Sequence, residues 1–67
     1  MSMIQAIATV DVYTHSGFER QKVEVTVDDS TLRLASTESG RRQLDPWAKN
    51  LFPAAEKVRV YGVERVR

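Results

Sequence analysis

The side chains with the widest chemical repertoire in this chain lie in one short stretch. His15 is the only histidine, Ser16 follows it, and Asp11 precedes it by four residues. A base, a nucleophile and an orienting carboxylate are the parts of hydroxyl catalysis, but they work only when successive hydrogen bonds join converging side chains. Neighbours in a strand or tight turn project apart, so His15 reads as an exposed turn residue and the chain as non-catalytic. The absence of cysteine excludes a thiolate zinc site, and a single histidine excludes a multi-histidine one. Asp28-Asp29 offers two carboxylates to a cation, yet no run has the spacing of a calcium loop. Their short oxygen-bearing side chains are explained as turn formers that bond the nearby backbone. Gly17, Gly40 and Gly62 are scattered and build no phosphate-cradling loop. No catalytic, cofactor-binding or metal-binding residue is assigned.

Charge carries more information. The net value is +1, but residues 1–40 hold three basic and six acidic groups, and residues 41–67 hold seven and three. The two halves are therefore −3 and +4. The basic excess gathers in Arg41, Arg42, Lys57, Arg59, Arg65 and Arg67. Arg59, Arg65 and Arg67 share parity, so an unbulged strand projects all three to one face. Tyr61 and Tyr13 add rings of the kind on which single-stranded bases stack. The bland alternative is an ordinary solvated face whose cations blunt a strand edge. Trp47, with Leu51 and Phe52, is either the plug of a small core or a partly exposed binding centre.

The elements that must position these groups follow from period-two alternation. Ile4, Ala6, Ala8, Val10 and Val12 define a first strand from about Met3 to Thr14. His15-Ser16-Gly17 is a hairpin connection, and a second strand runs from Phe18 to Val27 with its valines inward. Asp28-Asp29-Ser30 reads as a second hairpin turn, leading to a third strand over Thr31 to Ser36. Glu38-Ser39-Gly40 is a further turn, and Arg41 to Leu44 a short fourth strand. Asp45-Pro46 has the form of an N-cap followed by proline at the first helical position, which predicts one or two helical turns over 45–51. Pro53 stops them. A closing strand covers Lys57 to Val66, with a bulge expected near Gly62. The expected fold is mainly β, one domain over residues 1–67: a five-stranded curled sheet or SH3-like barrel made of a four-strand meander, a short helix and a closing strand.

A core of this size rarely supplies more than roughly 3–5 kcal/mol, and without disulfides or metal the route left to extra stability is self-association. The N-terminus has no basic region ahead of an apolar run, and no apolar run approaches the ~20 residues that span a bilayer. A cytoplasmic, free-standing product without cofactor is expected. By elimination, the leading functional expectation is a small protein-binding module, an adaptor, inhibitor or regulator of the sort frequent among viral and mobile-element products. Its candidate contact residues are Arg41, Arg42, Trp47, Arg59, Tyr61 and Arg65. Two alternatives stand beside it: a nucleic-acid-binding β-barrel using the same basic surface, and a structural homo-oligomer joined through an edge strand.

Overall fold

The computed structural model describes residues 3–66 of the chain. Two long strands, β1 (Ile4–Thr14) and β2 (Gly17–Val27), are followed by two helices, α1 (Asp29–Leu34) and α2 (Glu38–Leu51), and by β3 (Lys57–Arg65). The strands form one antiparallel sheet in the order β2-β1-β3. The mainly β class holds, but the described residues form three strands in an open sheet, and neither the five strands nor the closed barrel is found among them.

The β1–β2 hairpin follows its alternation, pairing Thr14 with Gly17 at the turn and Ile4 with Val27 at the far end. Gly17 leaves the turn at φ +130°, a conformation that favours glycine. After Val27 the expectation of a second hairpin fails. Asp28 is a helix N-cap: its Oδ1 accepts from the Thr31 amide at 3.0 Å, the Thr31 hydroxyl at 2.8 Å and the Ser30 hydroxyl at 2.9 Å. The residue types that make a good turn also make a good cap, and Leu32 with Leu34 is too short a run to separate strand from helix. Residues 31–36, expected as a third strand, hold the body of α1 and the start of the link to α2.

The second helix begins earlier than Asp45-Pro46 suggested. Thr37 is its N-cap, accepting from the Gly40 amide at 3.0 Å, so the expected fourth strand over 41–44 lies inside it. Pro46 sits in the helix interior, where it leaves the Arg42 carbonyl without its usual amide donor. Gly40, Leu44 and Ala48, spaced by four, form the buried stripe that drives this helix onto the sheet. Gly40 is required at the α1–α2 junction: a Cβ there would lie 2.6 Å from the Leu34 carbonyl carbon and closer still to its oxygen.

Both helices lie on one side of the sheet. The core joins Ala8, Val10 and Val12 of β1, Val58 and Val60 of β3, and Ala35, Leu44, Ala48 and Ala55. Its largest fully buried side chains are valines, so helix and sheet approach closely but bury little area per residue. Trp47 and Phe52 pack half-buried against this cluster. No helix among the described residues is long and apolar enough to cross a membrane.

Candidate functional site

The other side of the sheet carries no helix, and its residues can be read row by row from the register. Tyr13 of β1 faces Phe18 of β2 and Lys57 of β3. The next row is Asp11 with Arg20 and Arg59, and the third is Thr9 with Lys22 and Gly62. The fourth is Ile7 with Glu24 and Glu64. Three rows nearest the hairpin turn thus hold aromatic and cationic groups with one carboxylate, and an acidic row bounds them.

A bulge completes this arrangement. Thr9 pairs with Gly62 and Val10 with Val60, so Tyr61 is the extra residue of β3. The irregularity falls one position before the expected place beside Gly62, and it inverts the parity of the strand beyond it. Arg59 keeps the open face, whereas Arg65 lies opposite Ala6 on the helix side. Without the bulge, Arg59 and Arg65 would share a face.

Arg20 binds the three strands together. It donates from Nε to Asp11 Oδ1 at 2.8 Å and from Nη2 to Asp11 Oδ2 at 3.2 Å, a bidentate cross-strand pair. Its guanidinium carbon also lies 4.0 Å from the centroid of the Tyr61 ring, within cation–π range. The hydrogen bond from Arg20 holds the Asp11 carboxyl below its ordinary value, helped by the charges of Arg20 and Arg59, and Asp11 in turn raises Arg20 further. At the turn end, the Tyr13 and Phe18 rings stack with centroids 5.4 Å apart, and the Lys57 ammonium sits 5.7 Å from the Tyr13 ring. Phe18 and Tyr61 remain 62% and 60% exposed, so their rings are presented to solvent. Lys22, Lys57 and Arg59 hold no ion pair among the described residues.

The edge of this face is walled by α2. Arg41, Arg42 and Arg59 border a shallow depression on one side of Tyr61, and Arg41 and Lys22 border a second. Arg41 and Arg42 are nonetheless committed to backbone. Arg41 donates to the Ala35 carbonyl at 3.0 Å. Arg42 Nη2 donates to the Val60 carbonyl at 2.6 Å, while Asp45 Oδ1 accepts from the Val60 amide at 2.8 Å. The last two side chains therefore occupy both backbone groups of Val60 on the outer edge of β3, as a neighbouring strand would.

Of the six residues singled out from the sequence, Arg59 and Tyr61 stand on the open face, with Arg41 and Arg42 as a wall beside them. Trp47 belongs to the core margin and Arg65 to the opposite face. Arg67, named with the basic cluster but not among the six, lies outside the described residues. Phe18, Arg20 and Lys22 were missed. Their signal was present: Phe18, Arg20 and Lys22 share the parity of the polar face of β2, as do Asp11 and Tyr13 on β1. His15 is exposed in the hairpin turn, and Asp11 is engaged by Arg20. Among the described residues no three His, Asp or Glu side chains converge as metal ligands. Comparison with protein-family models, curated proteins and solved structures gives no match, so the geometry of the face alone carries the functional reading.

Proposed function

We propose that this chain is a non-catalytic binding module whose open sheet face takes single-stranded nucleic acid. The observation that carries this reading is the pairing of rings with cations on one surface: exposed Phe18 and Tyr61 and half-buried Tyr13 beside Lys57, Arg59, Arg20 and Lys22. Rings offer stacking faces to unpaired bases of any sequence, and cations between them meet the phosphates that recur at each nucleotide. The same face suits a protein partner less well, because its rings are interspersed with cations rather than set round an apolar pocket. A near-neutral net charge is no obstacle to this reading, since the acidic groups Glu24 and Glu64 are gathered in the row that bounds it. The expected leading role, a protein-binding adaptor or regulator, finds its support in a different feature, the unpaired outer edge of β2.

The test is fluorescence anisotropy of labelled single-stranded DNA and RNA of mixed and homopolymeric sequence, titrated at several salt concentrations. With Arg20 held by Asp11, three free cations give an expected slope of log K on log salt of about −2. Tyr61→Ala and Phe18→Ala should each weaken binding by roughly 5- to 150-fold while leaving the circular dichroism spectrum unchanged. Absence of binding at low salt, or binding insensitive to both substitutions, overturns the reading.

A further inference from the structure

The two edges of the sheet are treated differently. At Val60, β3 has its outward amide and carbonyl occupied by Asp45 and Arg42, and the bulge at Tyr61 comes immediately after. Along β2 there is neither bulge nor proline for eleven residues, and nothing among the described residues pairs with its outer side. The direction of its free groups is set by β1. The carbonyls of Gln5 and Tyr13 accept from Val66 and Glu56, so odd-numbered residues of β1 spend their backbone groups toward β3 and even-numbered ones toward β2. Their partners on β2 are Gly17, Glu19, Gln21, Val23, Val25 and Val27. Phe18, Arg20, Lys22, Glu24 and Thr26 therefore point backbone donors and acceptors outward.

We infer that a second copy of this chain pairs with that edge, β2 against β2 antiparallel, with Val23 on the two-fold axis. Such pairing matches like faces only when a residue, rather than a gap between residues, lies on the axis, since a one-residue slip sets buried faces against open ones. Charge then selects among the positions. An axis at Arg20, Lys22 or Glu24 sets that charged residue against itself, and an axis at Gln21 sets Arg20 against Lys22. With the axis at Val23, Lys22 of each copy opposes Glu24 of the other, twice over. On the helix side Val23 meets Val23, and each Val25, half-buried in one copy, packs beside Gln21 of the other. The outward residues Arg20 to Thr26 then exchange about eight backbone hydrogen bonds. The result is a six-stranded sheet with both open faces on one side.

The test is sedimentation equilibrium of the whole chain without nucleic acid, from micromolar to millimolar concentration. Wild-type protein should show a monomer–dimer equilibrium. Lys22→Glu and Glu24→Lys each replace two attractive pairs by two repulsive ones and should raise the dissociation constant by roughly tenfold or more. Both positions are exposed, and circular dichroism should report an unchanged fold. An equimolar mixture of the two variants restores both opposite-charge pairs, so a heterodimer should form at near wild-type strength. Three results overturn the inference: a monomer throughout, a dimer indifferent to either substitution, or a mixture no stronger than its components. A monomer that instead accepts a foreign strand at β2 falls under the first.

Discussion

Gly40→Ala tests the helical layer most directly, because two effects of opposite sign compete at that position. In an isolated helix, alanine for glycine stabilises by at most about 1 kcal/mol. Here the new Cβ would meet backbone rather than a movable side chain, lying 2.6 Å from the carbonyl carbon and 2.8 Å from the Cα of Leu34, with the carbonyl oxygen nearer still. Relief requires the first turn of α2 to withdraw from the end of α1 by on the order of an ångström, and overpacking of this kind costs about 1–3 kcal/mol. The displaced turn carries the Thr37 cap and the Arg41 bond to the Ala35 carbonyl, so the cost falls toward the upper part of that range. A net loss of about 1–2 kcal/mol is roughly a fifth to two thirds of the roughly 3–5 kcal/mol that a domain of this size commands. It corresponds to a fall in Tm of about 5–15 °C. Urea unfolding followed by Trp47 fluorescence and by circular dichroism measures it, with Ser39→Ala, one exposed residue away, as the control expected to shift the midpoint little. A Gly40→Ala midpoint equal to or above wild type would refute the close approach of α1 and α2.

Asp45→Ala removes the acceptor from the Val60 amide and should destabilise by about 1–3 kcal/mol in a urea melt, with Asp45→Asn closer to wild type because it keeps an oxygen there. Acid should weaken the fold through the two carboxylates whose titration folding lowers, Asp28 and Asp11. The Thr31 and Ser30 bonds hold Asp28 below its ordinary value, and the Arg20 bond does the same for Asp11. Because both are depressed in the folded state, their stabilisation is complete above the unfolded value near 3.8 and is lost as pH falls through the folded one. Asp28→Asn keeps a capping oxygen without the titration, so its stability should match wild type at neutral pH and decline less steeply below about pH 4.

The hairpin was legible because β1 alternates along its length and β2 from Gln21 to Val27, long enough together for period two to be unambiguous. The helices were not, for local reasons. Asp28 and Thr37 act as caps, but capping and turn-forming draw on the same residues, and only the segment downstream decides between them. After Asp28 come six helical residues with no fully buried side chain, too short for any period to declare itself. After Thr37 the buried stripe Gly40, Leu44 and Ala48 has helical spacing, yet two of its three members are too small to register as hydrophobic signals. Pro46 then drew the expected helix start some residues late, since proline is favoured at a first turn and is here tolerated in the interior. The open face shows the same pattern. Arg59 and Tyr61 were visible as cation and ring near one another in sequence, whereas Arg20 and Phe18 belong with them only through the register of β1, which pairs on both sides. The separation of Arg59 from Arg65 depended on where the bulge fell.

The clamp at Val60 also bears on how this protein can fail. A sheet with two receptive edges has no rule for stopping: head-to-tail addition of strand to strand can continue without end, and fibres are the outcome. With Arg42 and Asp45 seated on Val60 and a bulge at Tyr61 beside it, β3 is interrupted as a template, whereas β2 runs unbroken for eleven residues, so strand addition is disfavoured on one of the two edges. Two side chains of one helix thereby work against open-ended growth. Their loss would carry a colloidal penalty, turbidity or thioflavin-positive material on standing, quite apart from the stability they contribute to a single molecule.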